Sequence, residues 1–147
     1  RSLCARFQVL HRRMLAFQRH VPQHQTSTKE SRAKLPSEIK FQDAVFNVGR
    51  TALLVAALAA GDVRALSIAT SDRLHQDLRF TKAPDSKLAL NAAVDAGAWC
   101  AWLSGSGPTI AAMVDRDLSQ RIADALPTNG AKMVLSIAQS GAELFAI

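Results

Sequence analysis

The sequence has few residues of the kinds that support special folds. Its 147 residues include only two cysteines, Cys4 and Cys100, which lie far apart and lack the CxxC spacing of a metal or redox motif. They cannot supply a framework of disulfides, so we expect two reduced thiols in a cytoplasmic protein. Only eight residues are aromatic, six Phe and two Trp. A core of this chain must therefore be built mainly from Ala, Leu and Val.

Long apolar runs are also lacking. The longest apolar stretch covers residues 52–60, about half of the roughly 20 residues that a membrane-spanning helix needs. We therefore expect no membrane contact. Apolar residues make up 48% of the chain and charged residues 20%, which is typical of a folded soluble protein. The length suits one domain with a modest core.

Acidic residues are absent from the first 27 positions, which carry five arginines, whereas the remainder carries 13 basic and 12 acidic residues. The net charge of residues 28–147 is thus close to zero, which does not favour binding to the phosphates of a nucleic acid. We therefore expect no nucleic-acid partner. The basic start has three interpretations: an unassigned lead-in, a transit peptide, or a weak contact for polyanions. We assign residues 1–20 to a basic lead-in and residues 21–147 to the domain.

Apolar spacing predicts a mainly helical first part. The expected helices are a short amphipathic one within residues 1–20, a short one from the capping box at residues 27–30 to Pro36, and longer ones over residues 41–60, 62–78 and 86–96. Residues 45–58 are so apolar that we expect the long helix to be buried on most sides.

After Gly97 the apolar period changes. Strands are expected over residues 99–103, 109–114, 132–138 and 144–147, with a helix over residues 117–126. A helical block followed by strand, strand, helix and strand predicts an α+β fold. In this ferredoxin-like sandwich, the helices pack on one face of a small antiparallel sheet.

Four segments match the motifs of a known family and lie in the order found there. They are STKESR with LP (residues 27–36), DAVFNVGR (43–50), DRLHQ (72–76) and LSGSGPT (103–109). Together they resemble the homoserine kinases of the GHMP kinase superfamily. SGSGP alone would be weak, but with the following Thr it is similar to the third motif of that superfamily. The resemblance covers about residues 21–147 and implies the fold of the GHMP kinase C-terminal domain.

The resemblance implies an ATP- and Mg²⁺-dependent transfer of a phosphoryl group to the hydroxyl of L-homoserine, a step toward threonine. In the family, the ATP loop and the acidic residue that helps to hold Mg²⁺ lie upstream, and they have no counterpart in these 147 residues. We therefore expect only the substrate-side half of the kinase, a fragment that is inactive alone, with no catalytic and no metal-binding residue. A homodimer is a possible assembly.

Homoserine carries a carboxylate, and arginine can bind a carboxylate through two parallel hydrogen bonds. The resemblance implies that Arg32 and Arg79 hold this carboxylate. His75 could orient Arg79 or contact the substrate, although a lone helical histidine is more often structural. Each of these residues also has a plain structural interpretation, as a surface arginine or a structural histidine. Asp72 could anchor Arg79 or Arg73 by a salt bridge, with an ordinary structural role equally open, and Asp77 could compete with the substrate for Arg79.

The glycine-rich motif is the last candidate. It consists of Ser104, Gly105, Ser106, Gly107, Pro108 and Thr109. Its glycines allow the backbone to approach a phosphate or another loop, and successive N–H groups can form an anion nest. The structural interpretation is a plain hairpin turn. For the whole chain, the alternative to a kinase half is a non-catalytic module that binds an amino acid.

Overall fold

A computed structural model describes residues 14–22, 32–33 and 35–137. The described strands are β1 (Met14–Pro22), β2 (Cys100–Leu103), β3 (Ile110–Asp115) and β4 (Gly130–Leu135). The α-helices of four or more residues are α1 (Phe41–Ala60), α2 (Leu66–Ala69), α3 (Gln76–Phe80), α4 (Pro84–Asp95) and α5 (Ser119–Ala125). Two 3₁₀ turns, Val63–Ala65 and Arg116–Leu118, precede α2 and α5. The predicted α+β class is confirmed.

The four strands form one antiparallel sheet in the order β2-β3-β1-β4. β1 lies inside the sheet, where Phe17 is aligned with Met113 of β3 and with Leu135 of β4. The predicted helix within residues 1–20 is therefore wrong for residues 14–20, and the predicted boundary after residue 20 falls inside β1. A short apolar pattern fits either type of element, and pairing with strands on both sides decides the outcome.

Helices cover both faces of the sheet. On one face, alternate residues of β2 and β3 pack with α4 and α5 in a core that includes Leu103, Ile110, Val114, Ala93 and Ile122. On the opposite face, Cys100, Trp102 and Met113 pack with α1 and α2 through Leu54, Ala57 and Leu66. The expectation that all helices share one face is thus wrong, because α1 and α2 pack on the side opposite α4 and α5.

α1 has the predicted bounds and ends at Gly61, whose φ of 75° suits glycine. Its predicted burial is wrong: of the twenty residues of α1, only Ala57 is buried. Val45, Val48 and Val55 are 53%, 70% and 58% exposed. Part of the apolar surface of α1 is therefore left uncovered by the described part of the chain.

By length and composition alone, α1 is also the one helix in the described ranges that could cross a membrane. Asn47 near its middle uses its side chain for polar contacts with the turn that precedes α3. Its C-terminal half packs on α2 and the sheet through Leu54, Ala57 and Leu58. These contacts are those of a helix that belongs to the domain.

The helix predicted over residues 62–78 is broken into three pieces. Asp62 caps the first piece as expected, since its carboxylate accepts a hydrogen bond from the backbone N–H of Arg64 at 3.0 Å. The chain leaves the helix after Ala69 because the side chains of Thr70 and Asp72 bond to nearby backbone groups instead. Leu66 and Ala69 are buried, as predicted.

The remaining elements follow the predicted pattern after Gly97. β2, β3 and α5 are confirmed within one to two residues, and β4 begins slightly earlier than expected. The strand predicted over residues 144–147 and the capping box at residues 27–30 lie outside the described residues. Cys100 is a free, buried thiol whose burial raises its pKa to about 11, so it is reduced and unreactive at neutral pH.

Candidate functional site

The site begins at the turn between α2 and α3, which is organised by one carboxylate. The side chain of Asp72 is only 8% exposed. Its Oδ2 accepts hydrogen bonds from the backbone N–H groups of Leu74 at 3.2 Å, His75 at 2.7 Å and Gln76 at 2.7 Å. These donors stand at the start of α3, where N–H groups have no partner within the helix. Asp72 therefore holds the first turn of α3 in place.

Asn47 of α1 binds the same turn with both ends of its amide. Its Nδ2 donates to Oδ1 of Asp72 at 2.6 Å, and its Oδ1 accepts from the backbone N–H of Arg73 at 3.0 Å. The long helix thereby fixes the turn that leads to α3. Asn47 therefore braces the site from α1.

The predicted salt bridge from Asp72 to an arginine is wrong. Arg73 lies 3.8 Å from the carboxylate of Asp43 and 3.9 Å over the ring of Phe46. Asp72 lies instead 3.7 Å from Nε2 of His75. Burial alone would raise the pKa of Asp72, but the backbone N–H donors and the Asn47 amide outweigh it and hold this pKa below its ordinary value.

Arg79 stands one turn after His75 on α3 and reaches the glycine-rich motif. Its Nη1 donates to the backbone carbonyl of Gly105 at 2.7 Å and lies 3.4 Å from Nδ1 of His75. Its Nε is buried and has no hydrogen-bond partner among the described residues. The structure thus brings together Arg79, His75 and the motif, which are separate in the sequence.

The glycine loop, residues 104–109, joins β2 to β3. The two ends of the loop are joined by the N–H of Ser104, which donates to the carbonyl of Thr109 at 2.8 Å. Within the loop, the N–H of Gly107 donates to the carbonyl of Ser104 at 3.2 Å. Gly105 and Gly107 have φ values of 61° and 73°, a region that other residues rarely adopt. The loop is a hairpin connection. The hydrogen bond from Arg79 to Gly105 also places the loop at the edge of the candidate site.

Replacing Gly107 with Ala is expected to destabilise the domain by about 1–2 kcal/mol. An added Cβ would lie 3.0 Å from Cδ1 of Leu103, in a backbone conformation that alanine disfavours. The matched control is Gly49→Ala in α1, where nothing lies within 4 Å and a gain of about 0.5–1 kcal/mol is expected. Urea unfolding of both variants measures the difference, and equal midpoints would contradict it.

Arg32 and Asp77 are placed differently from the other candidates. Arg32 is exposed in a helical pair of residues, and its carbonyl accepts from the N–H of Leu35 at 3.1 Å. No contact within the described ranges joins it to Arg79 or the glycine loop, so its role stays a prediction. Asp77 points to solvent and lies 3.6 Å from Nζ of Lys87, and not against Arg79.

Two buried polar residues at the loop escaped the sequence analysis as site residues. Gln76 accepts from the N–H of Leu103 through Oε1 at 2.7 Å and donates through Nε2 to the carbonyl of Thr70 at 3.2 Å. Ser86 of α4 donates through Oγ to the carbonyl of Pro108. Gln76 ends the DRLHQ segment, but that segment does not reveal its partner, and no motif marks Ser86. Each contact joins residues more than twenty positions apart at the loop.

A cavity of about 180 Å³ opens beside His75 and Gln76. Its remaining walls are mainly apolar and come from α1 and the sheet, through Leu54, Trp102 and Met113. For Mg²⁺, the donor set does not fit: the described residues bring together no three His, Cys, Asp or Glu side chains. The donor that lacks a partner at the site is Nε of Arg79, which suits an anion rather than a metal ion.

The comparisons with known proteins agree on one family. The family model for the C-terminal part of GHMP kinases matches residues 54–132. The chain is 40% identical over 141 residues to the homoserine kinase of Caldicellulosiruptor bescii, covering 90% of this chain and 46% of the relative. With the homoserine kinase of Gloeobacter violaceus, it shares 42% identity over 106 residues, covering 72% and 36%.

Solved structures give the same result. The crystal structure of homoserine kinase from Cytophaga hutchinsonii matches with a TM-score of 0.80 and 28% identity, covering 86% of this chain and 43% of that one. Mevalonate kinase from L. major matches with a TM-score of 0.67 and 18% identity over 88% and 44% of the two chains, which shows a shared fold. The chain spans less than half the length of these relatives. It belongs to the GHMP kinase family and has the fold of the C-terminal domain.

Proposed function

We propose that this chain is the homoserine-binding half of a homoserine kinase, which phosphorylates the homoserine hydroxyl with ATP. The observation that carries the proposal is the placement of Arg79, which stands on the glycine loop beside His75 with its Nε buried and unpartnered among the described residues. The relatives named homoserine kinase, at about 40% identity, support this substrate over others of the family.

The geometry supports carboxylate binding by Arg79. One nitrogen, Nη1, is held by the carbonyl of Gly105, which fixes the plane of the guanidinium. A buried N–H without a partner is costly. A carboxylate would satisfy Nε through a charge-assisted bond once the atoms that cover Nε move aside. Because His75 lies against the same nitrogen as Gly105, it limits how the guanidinium can turn.

The other parts of the reaction are assigned as follows. Arg32 supplies a second guanidinium for the carboxylate, and the glycine loop limits where the acceptor hydroxyl can stand. ATP and Mg²⁺, held by residues outside these 147 positions, supply the phosphoryl group and neutralise its charge. A free thiol with the raised pKa of Cys100 is compatible with a cytoplasmic location, which we propose for the protein.

Calorimetry of the chain with L-homoserine, in the absence of nucleotide, tests the proposal. We expect saturable binding in the millimolar range or tighter, and none of homoserinol, which has an alcohol in place of the carboxylate. With ATP and Mg²⁺ added, the chain alone should form no phosphohomoserine. Absence of heat at millimolar homoserine contradicts a homoserine-binding half, and equal binding of homoserinol contradicts the role of Arg79.

The second candidate is a module that binds an amino acid without phosphoryl transfer. This candidate rests on the same placement of Arg79 at the glycine loop. It predicts the same binding of homoserine in the calorimetric experiment. The two functions are separated by supplying the part of the Caldicellulosiruptor bescii relative that lies outside its aligned region. Phosphohomoserine should form from the mixture if the chain is a kinase half, whereas binding without transfer favours the module.

A further inference from the structure

We propose that Gln76 and Ser86 are positioning residues that hold the two ends of the glycine loop at a fixed distance from Arg79. The inference rests on the proposed function, because the loop and Arg79 form the homoserine site only in that case. Neither residue touches the proposed substrate contacts, and each acts through the backbone of the loop.

Gln76 holds the end of the loop that leaves β2. β2 is an edge strand, and the Ser104 N–H points inward to Thr109, so the N–H of the preceding residue Leu103 points outward from the sheet. Leu103 is only 3% exposed, and its N–H is satisfied by Oε1 of Gln76 at 2.7 Å. The same amide binds the carbonyl of Thr70, which fixes the side chain at both ends.

Ser86 holds the end of the loop that enters β3. The residue is fully buried in the first turn of α4, and its Oγ donates to the carbonyl of Pro108. Buried hydroxyl groups need a partner, and this one is provided by the loop. One buried polar side chain thus binds each end of the loop, from two different helices.

The consequence concerns Arg79, which binds the middle of the loop at Gly105. Gln76 and Arg79 belong to the same five-residue helix, α3. Because Gln76 binds the end of β2 at Leu103, this one helix fixes both the end of β2 and the guanidinium of Arg79. Ser86 ties the loop to α4 in the same way. Since substrate positioning within about 1 Å is decisive for phosphoryl transfer, ties of this kind set the shape of the site.

The test compares Gln76→Met and Ser86→Ala with the control Gln120→Met. Gln120 is exposed on α5 and bonds only to Asp124 in the described part of the chain. Amide hydrogen exchange is followed by NMR in the full chain. Exchange at Ser104 and Gly107 should become about ten-fold faster or more in the two test variants, with Ala112 in β3 unchanged within about two-fold. The control should change neither.

The outcomes separate the two proposals. Unchanged exchange in the loop, or an equal acceleration at Ala112, overturns the positioning role. In calorimetry, Gln76→Met should reduce homoserine affinity about ten-fold or more. Normal affinity together with faster exchange in the loop also overturns the positioning role. If the unmodified chain binds no homoserine, the proposed function fails, while loop exchange still decides whether Gln76 and Ser86 hold the loop.

Discussion

Arg79→Leu is expected to weaken homoserine binding by about a hundred-fold or more, equivalent to about 3 kcal/mol. The substitution removes the guanidinium whose Nε is buried and has no hydrogen-bond partner among the described residues. It also leaves the carbonyl of Gly105 without the donor that Nη1 provides at 2.7 Å. Calorimetry with L-homoserine measures the loss.

Two further variants define the cause of this loss. Arg79→Lys keeps the positive charge but not the planar fork, so we expect an intermediate affinity. Arg64→Leu, at an exposed position in the 3₁₀ turn before α2, should bind homoserine normally. In a longer protein that also binds ATP, Arg79→Leu should raise KM for homoserine and leave KM for ATP nearly unchanged. Equal effects on both would assign Arg79 a structural role only.

Asp72→Ala is expected to lower the free energy of unfolding by about 3 kcal/mol. The carboxylate accepts three backbone N–H bonds at the start of α3 and one from the amide of Asn47, and all four donors lose their partner together. Asp62→Ala is the matched control, because Asp62 is exposed and accepts one N–H bond from Arg64. It should cost about 1 kcal/mol. A similar loss of unfolding free energy in both variants would contradict the claim that the four hydrogen bonds to Asp72 stabilise the domain together.

The same carboxylate makes stability depend on pH. The pKa of Asp72 is lowered in the folded state, because N–H donors outweigh the effect of burial. Its contribution is therefore fully present above the unfolded pKa of about 3.9 and is lost as the pH falls through the lower folded pKa. Urea unfolding between neutral pH and pH 2 should show this loss in the parent chain, and Asp72→Asn should remove this component.

Periodicity predicted the parts of the fold that depend on local sequence. The bounds of α1 followed from its apolar run and Gly61, and the change of period after Gly97 located β2 and β3. The break after Ala69 was missed because Thr70 and Asp72 were included in the helix predicted over residues 62–78. Both residue types compete for backbone bonds, so the signal was present in the sequence but was not used.

Other features depended on contacts that no local pattern encodes. The exposure of Val48 could not be read from α1, because an apolar helix indicates burial without naming what buries it. The meeting of Arg79 and Gly105, which are 26 residues apart, was expected only from the family resemblance. Ser86 lies in no motif and Gln76 only ends the DRLHQ segment, so their roles depend on the backbone groups that the fold brings to them.

The position of β1 has a consequence for how the chain folds. Its neighbours β3 and β4 lie roughly a hundred residues further along the chain, and among the described strands β4 pairs only with β1. Helices and the β2–β3 hairpin need only local contacts and can form early, whereas β1 must close a long loop of chain first. Completion of the sheet is therefore expected to be the slow, high-contact-order event of folding, and during synthesis β1 must wait for strands that are made much later.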